Sequence, residues 1–320
     1  MIERIRHIGL HRVCVKVWKS LRKAYDVTFW VVTAFAALYL LKVFLLFTTY
    51  DTFHTPTDSM TPTILPGDRG YINKWKLGGR VFDVYAAAEG RPFTVRRLPG
   101  YGKLDRGDVI VFNAPFIGKW DSIAMNMRLY YCKRAVAVAG DTLEIRGGFY
   151  RVRGDGRVFG NTYEQASMER IVNDMILTAP DSVGPPRWIT VSPRDSLIRW
   201  TILEMGPRVI PKEGMRVKLD RRNYLLYRKY IDWETGMRTE WRDKTAWIGD
   251  RRLLSYTFKE NYCFAAGDHT INSQDSRYWG LLPEKFIVGV APFIFKSKKG
   301  MRRLRPGSER QERIKRTSSQ

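Results

Sequence analysis

Ser59 stands in a stretch whose backbone is restricted, and its hydroxyl is a candidate nucleophile. Residues 56–68 read PTDSMTPTILPGD, in which three prolines and a Gly-Asp turn limit the conformations of the loop. A serine hydroxyl becomes reactive when a neighbouring base takes its proton. The stretch alone is also typical of an ordinary polar loop, so the available bases decide its interpretation.

Histidine is the usual base beside a serine, but the chain has four: His7, His11, His54 and His269. A lysine can replace histidine when burial lowers its pKa from about 10.4 towards neutrality. Lys133 lies in an apolar run, LYYCKRAVAVAGD at 129–141, that predicts a strand. Because successive side chains of a strand point to opposite faces of the sheet, the side chains of Lys133 and Arg134 should lie on opposite faces. A Lys-Arg pair facing water on an edge strand is the alternative.

A third polar stretch, GDHTINSQDSRYWG at 267–280, combines charged, hydroxyl and aromatic side chains. Its dense polar group consists of Ser273, Asp275, Ser276 and Arg277. Such a group can orient a buried lysine through hydroxyl contacts and an internal Asp–Arg pair. As a bare pattern it also fits a solvated loop.

Short β-rich segments separated by Gly, Pro, Asp and Asn follow residue 50 and predict a mostly β domain. The predicted strands are 109–115, 142–152, 187–191, 198–205, 216–220 and 224–236. One short helix is predicted over 164–177.

Residues 27–47 form one strongly apolar run, VTFWVVTAFAALYLLKVFLLF, with Lys42 as its single charge. A helix needs about 20 such residues to cross the hydrocarbon core of a bilayer. Seven basic residues precede the run, so the positive-inside rule predicts a cytoplasmic N-terminus and an external remainder. The alternatives are a buried helix of a soluble domain and a cleaved signal peptide.

The net charge is +23, with a surplus of five positive charges in residues 1–26 and eight in 296–320. The second segment lacks an apolar pattern and is predicted to be a flexible tail. Basic ends can bind nucleic acid or anionic lipid. The neighbouring apolar run favours lipid, and no nucleic-acid partner is expected.

The three cysteines, Cys14, Cys132 and Cys263, lack the spacing of a metal site. Free thiols are the favoured interpretation. A disulfide between Cys132 and Cys263 stays open, because it depends on whether the fold brings them together.

Taken together and in order, four stretches after the apolar run resemble the motifs of bacterial signal peptidase I, a family of Ser–Lys serine peptidases. They are PTDSMTPT (56–63), RGDVIVF (106–112), YCKRAVAVAGD (131–141) and GDHTINSQDSRYWG (267–280). The order and the preceding apolar segment make the resemblance specific.

The resemblance implies a role for each site residue. Ser59 would be the nucleophile and Lys133 the neutral-amine base, with the Thr57 hydroxyl and the Ser59 N–H binding the oxyanion. Ser273 would orient the lysine, Asp275 and Arg277 would form a supporting ion pair, and Met60 and Tyr131 would line the substrate pocket. The chain departs from the family pattern at Thr57, Ala137, Ala139, His269 and Thr270.

The architecture implied is a mostly β, signal-peptidase-like ectodomain with a second β-rich insertion domain, preceded by one transmembrane helix. The predicted divisions are a basic cytoplasmic segment (1–26), an anchor (27–47), a catalytic core (48–142 and 261–295), an insertion domain (143–260) and a basic flexible tail (296–320).

The function implied is a single-pass enzyme of the plasma (inner) membrane whose catalytic domain lies on the outer side. It would remove signal peptides from exported preproteins, contact membrane lipid, and need no metal or organic cofactor. A catalytically silent membrane-anchored scaffold of the same fold is the alternative. A basic nucleic-acid binder is suggested by charge alone.

Overall fold

The computed structural model describes residues 2–91, 93–178 and 187–304. It divides into two units, Met1–Thr48 and Thr49–Gln320. The first unit is helix α1 (Ile2–Thr48). Its segment Trp18–Leu45 is long and apolar enough to cross a membrane, and none of its most apolar window is buried within the protein. The predicted anchor is therefore one part of a longer continuous helix.

The second unit is mostly β. Its helices are α2 (Val84–Glu89), α3 (Thr162–Thr178), α4 (Arg221–Thr235) and α5 (Ser276–Trp279), with 3₁₀ turns at Arg187–Ile189, Thr270–Asn272 and Glu284–Phe286. Its strands are β1 (Tyr50–His54), β2 (Arg69–Asn73), β3 (Arg80–Val81), β4 (Arg96–Arg97), β5 (Val109–Ala114), β6 (Asn126–Ala137), β7 (Thr142–Arg146), β8 (Phe149–Val152), β9 (Val158–Phe159), β10 (Met205–Val209), β11 (Arg216–Lys218), β12 (Thr239–Arg242), β13 (Thr245–Ile248), β14 (Arg251–Leu253), β15 (Ser255–Thr257), β16 (Tyr262–Ala266), β17 (Leu282–Pro283), β18 (Ile287–Lys296) and β19 (Arg302–Arg303).

The main sheet has eight strands in the order β1-β2-β18-β5-β6-β16-β17, with β19 also paired to β18. Its strand pairs are antiparallel. Strand β5 is buried along its whole length and lies in the middle of the sheet, beside β6. Strand β6, which carries Lys133 and Arg134, is therefore held on both sides, by β5 and by β16.

The described residues of segment 143–260 fold into smaller sheets and the helices α3 and α4. A four-stranded sheet has the order β10-β7-β8-β9, and a three-stranded one has the order β12-β13-β14. Apolar residues of this segment, such as Leu143 and Tyr230, share one buried cluster with Phe112 of β5 and Phe264 of β16. The segment thus packs directly on the main sheet.

Three of the predicted strands are wrong, and the clearest error is 224–236, which lies in helix α4. Asp220 caps the helix N-terminus by accepting a hydrogen bond from the Asn223 N–H at 2.8 Å, and Gly236 ends it with a φ of 68°. Its buried face includes Tyr224 and Tyr227, a helical spacing of three. Aromatic composition favoured a strand, but the caps and this spacing favour the helix.

The other two wrong strands are 187–191 and 198–205, which are mainly a 3₁₀ turn and irregular structure joined by a single bridge from Thr190 to Thr201. The helix predicted over 164–177 is confirmed as α3. The basic tail predicted from residue 296 lies outside the described residues from 305 onward, and before that β19 still pairs with β18.

Candidate active site

The loop that carries Ser59 connects β1 to β2 and is held by short-range hydrogen bonds. The Thr61 N–H donates to the Asp58 carbonyl at 2.8 Å, and the Ile64 N–H donates to the Met60 carbonyl at 2.9 Å. Met60 is fully buried and belongs to a cluster that includes Ile64 and residues of β5. The side chain that follows Ser59 thus fixes the loop against the main sheet.

Lys133 faces Ser59 from the middle of β6. Its Nζ lies 2.5 Å from the Ser59 Oγ, within hydrogen-bond distance, and the residue is 3% exposed. Ile110 of β5 pairs with Lys133, and this register fixes the position of the lysine relative to the neighbouring strand. Contact between a hydroxyl and a basic side chain is the first requirement of covalent catalysis by serine.

Burial lowers the pKa of Lys133 below its ordinary value, because the charged form loses hydration. The negative charge of Asp275 opposes this shift, and the positive charge of Arg277 adds to it. The direction is the one that a general base needs, since only a neutral amine can accept a proton.

Arg134, the next residue on β6, points away from Ser59 as strand alternation predicts. Its guanidinium donates to both carboxylate oxygens of Asp268, at 2.8 and 2.6 Å, and to the Gly107 carbonyl at 2.8 Å. Both charged side chains are buried. This bidentate pair ties β6 to the start of the 267–280 loop.

Asp275 and Arg277 form a second buried ion pair, in which both side chains are fully enclosed and lie 2.8 Å apart. Asp275 caps α5, and it also accepts a hydrogen bond from the Gly267 N–H at 3.1 Å. Arg277 also donates to the Thr270 carbonyl at 2.7 Å. Burial alone would lower the pKa of Arg277, but the charge of Asp275 outweighs it and raises that pKa. The pair therefore holds the loop's shape as a fixed unit.

Arg277 also contacts α3 of the 143–260 segment. Its Nη1 lies 3.3 Å from the Met168 sulfur, and its carbonyl accepts a hydrogen bond from the Ser192 N–H at 2.7 Å. The segment predicted as an insertion thus packs against the back of the site.

The remaining predicted residues lie around Ser59 and Lys133. Ser273 is buried, and its hydroxyl has no hydrogen-bond partner among the described residues. Thr57 is exposed at the surface of the serine loop. Tyr131 is half-buried, with the Lys133 Nζ 5.6 Å from the centre of its ring. The roles predicted for these residues and for Met60, and those predicted for Ser59, Lys133, Asp275 and Arg277, stay predictions.

Cys132 and Cys263 are free thiols, as favoured by the sequence. Within the described residues, there is no group of three or more His, Cys, Asp or Glu side chains that could hold a metal ion.

The family model described as "Signal peptidase, peptidase S26" matches residues 27–296, which include the apolar run 27–47 and all four motifs. The chain belongs to this signal peptidase family.

Curated relatives in the signal peptidase family are distant but cover most of the chain. A signal peptidase I of Buchnera aphidicola subsp. Acyrthosiphon pisum is 24% identical over 272 residues, covering 82% of this chain and 72% of the relative. Signal peptidase I of Haemophilus influenzae is 27% identical, covering 82% and 66%, and that of Aquifex aeolicus is 26% identical, covering 76% and 75%.

Among solved structures, a signal peptidase I from Enterococcus faecalis V583 aligns with a TM-score of 0.27 and 19% identity. The alignment covers 59% of this chain and 96% of that one.

Sequence reasoning on the signal peptidase motifs missed several side chains at the site. Asp58 contacts Asn272 across the site, and Lys229 of α4 donates to the Trp279 carbonyl at 2.6 Å. Asp58 carried a local signal, because its carboxylate directly precedes Ser59, the predicted nucleophile. Lys229 carried none, because 50 residues separate it from Trp279 and a strand was predicted there.

Proposed function

We propose that this member of the signal peptidase family is a membrane-anchored serine endopeptidase that removes signal peptides from exported preproteins, with Ser59 as nucleophile and Lys133 as general base. The observation that carries the residue assignment is the 2.5 Å contact between the Lys133 Nζ and the Ser59 Oγ. Family membership supports the reaction class, and the burial of Lys133 supports the use of a neutral amine.

In the first half of the reaction, Ser59 attacks the carbonyl carbon of the scissile peptide bond while Lys133 takes the hydroxyl proton. The tetrahedral intermediate carries a negative oxygen, which the Ser59 N–H and the Thr57 hydroxyl would stabilise. Lys133, now an ammonium, donates its proton to the leaving amine. The acyl group stays on the Ser59 Oγ as an ester.

In the second half, a water molecule loses a proton to Lys133 and attacks the ester carbonyl. The same two donors stabilise the second oxyanion, and the proton returns to the Ser59 oxygen as the ester bond breaks. Asp275 and Arg277 take no proton. Their role is to keep the loop beside Lys133 in shape, and Ser273 would orient the amine.

The proposed substrate is an extended segment of a preprotein. Such a segment can add to a strand edge near the site, where its backbone makes hydrogen bonds and small pockets select small side chains. Met60 and Tyr131 would line the pocket for the residue before the cut. Anchoring both enzyme and substrate in one membrane raises their effective concentration.

We further propose a cytoplasmic N-terminus and a catalytic unit on the outer side of the inner membrane. The basic residues before the apolar run support this orientation. The surplus of positive charge near the C-terminus favours contact with anionic lipid.

The test is cleavage of a preprotein with an Ala-x-Ala site by the purified full-length chain in detergent. Processing at that site by the parent, and its loss in Ser59→Ala, is the expected result. A parent that binds the preprotein and leaves it intact would instead favour a silent scaffold of the same fold.

A further inference from the structure

The side chain directly before the nucleophile is tied to the loop that carries Ser273. Asn272 Nδ2 donates to both carboxylate oxygens of Asp58, at 3.1 and 3.0 Å, and His269 Nδ1 lies 3.3 Å from Asp58 Oδ2. Asp58 and Asn272 are 214 positions apart in the chain. The contact therefore joins the serine loop to the 267–280 loop across the site.

The backbones of the two loops also touch at this point. The His269 N–H donates to the Ser59 carbonyl at 3.1 Å. A Cβ placed on Gly267 would lie 2.5 Å from the Ser59 carbonyl oxygen and 2.2 Å from the Ser273 Oγ, so only glycine fits here. A sideways shift of either loop would consequently move Ser59 relative to Lys133, which belongs to the sheet.

Global stability is a poor explanation for the side-chain contact. The Asp58 side chain is 45% exposed, and exposed polar contacts of this kind add little to the free energy of folding. Its place beside Ser59 points instead to the geometry of the nucleophile.

We infer that Asp58 and Asn272 form a clamp that positions the Ser59 hydroxyl against Lys133. The inference rests on the proposed function, in which these two residues are nucleophile and base. Asp58 and Asn272 are positioning residues, because they act through Ser59. The Asp58 carboxylate accepts from the Asn272 amide, so the two partners are complementary and can be exchanged.

Loss of the clamp should lower kcat more than it changes KM. Displacement of a reacting group by about 1 Å can cost about 100-fold in rate, and loosening a loop without displacing it should cost less. Asn272→Asp places two carboxylates in contact, so we expect a loss of about tenfold in kcat. Asp58→Asn keeps one amide–amide hydrogen bond, so we expect about threefold. KM should change by less than about twofold in both, because the clamp acts on Ser59 and not on the substrate.

The decisive variant is the exchange, Asp58→Asn combined with Asn272→Asp. It restores one carboxylate facing one amide and keeps the net charge, so kcat should return to within about twofold of the parent. The assay is steady-state cleavage of a quenched fluorescent peptide with an Ala-x-Ala site by the full-length chain in detergent. Asp243→Asn, in the exposed turn between β12 and β13, is the matched control and should behave as the parent.

Several outcomes would overturn the clamp: a kcat for Asn272→Asp equal to that of the parent, an effect on KM alone, or an exchange variant no better than Asn272→Asp. The Tm of each variant is measured alongside. Should Asn272→Asp fail to fold, Asn272→Ser removes the donor without adding a charge, and parental kcat in that variant rejects the clamp.

Ser59→Ala in the same assay separates the two proposals. An active Ser59→Ala variant rejects the proposed function itself. An inactive one, together with clamp variants that match the parent, rejects only the clamp.

Discussion

Lys133 and Lys229 are two lysines whose pKa is lowered, in each case mainly by burial. They differ in what their amines touch. The Lys133 Nζ meets the hydroxyl of Ser59, whereas the Lys229 Nζ donates to the carbonyls of Trp279 and Trp120, at 2.6 and 3.2 Å. A hydroxyl has a proton to give and a carbonyl has none. Burial therefore prepares a lysine to act as a base, and the partner decides whether it can do so.

The surroundings of Lys133 and Lys229 also differ in which parts of the structure each lysine connects. Lys229 extends from α4 to the last residue of α5, so it joins the 143–260 segment to the 267–280 loop. Lys133 lies in the main sheet and contacts the side chain of Ser59, the proposed nucleophile. We therefore expect substitution of Lys229 to change mainly the stability of the protein, and substitution of Lys133 to change mainly its activity.

The largest expected effect is on activity, and it should distinguish Lys133 from Lys229. Ser59→Ala and Lys133→Met should each lower kcat/KM by at least about 1,000-fold, because nucleophile and base act as a unit. Lys229→Met, the matched control, should cleave within about threefold of the parent. The measurement is peptide cleavage, with Tm showing that each variant is folded. Equal losses in Lys133→Met and Lys229→Met would remove the distinction drawn between the two lysines.

The next largest effect is expected at Thr57, the proposed oxyanion donor. Thr57→Val keeps the shape of the side chain and removes its hydroxyl, so kcat should fall by about 100- to 1,000-fold with little change in KM. The same cleavage assay measures both constants. A Thr57→Val variant as active as the parent would mean that backbone N–H groups suffice.

The pH dependence should follow Lys133 alone. Its pKa is lowered by burial, so the neutral, active form is gained as the pH rises through that lowered value and lost as the pH falls. Activity below that pKa should therefore drop about tenfold per pH unit. Lys229→Met should keep the same midpoint. A rate that stays level down to acidic pH would contradict a lysine base.

The smallest expected effect concerns stability. Here Lys229→Met should be the more damaging of the two lysine substitutions, whereas Lys133→Met is the more damaging for activity. Lys229→Met leaves two carbonyls without their donor, at a cost of about 1–3 kcal/mol, and should lower Tm by several degrees. Lys133→Met removes a buried amine whose hydration was lost on folding, so its Tm should equal or exceed that of the parent. Thermal unfolding in the same detergent measures both.

Much of the site could be predicted because its residues lie in local patterns. The proline-rich stretch around Ser59 and the apolar strand around Lys133 are readable within about ten residues each, and strand alternation alone separated Lys133 from Arg134. Their contact could not be derived from spacing. The pairing of Ser59 with Lys133 was predicted from the family resemblance, which depends on the order of the motifs.

The errors arose where tertiary contacts decide the structure. Residues 224–236 are rich in tyrosine and tryptophan, which suit strands, yet Tyr230 is buried because a helix brings its hydroxyl to the Leu281 N–H at 2.7 Å. The contact of Asp58 with Asn272 likewise depends on the whole sheet between them. Side chains that meet only after folding leave no periodic signal in the sequence.

Helix α1 has a consequence for the bilayer that holds it. At about 1.5 Å per residue, its 47 residues measure roughly 70 Å, more than twice the hydrocarbon thickness of about 30 Å. Its apolar run, residues 27–47, measures roughly 32 Å along the axis, close to that thickness. Residues 2–26, roughly 38 Å of helix, therefore continue beyond the hydrocarbon core on the N-terminal side.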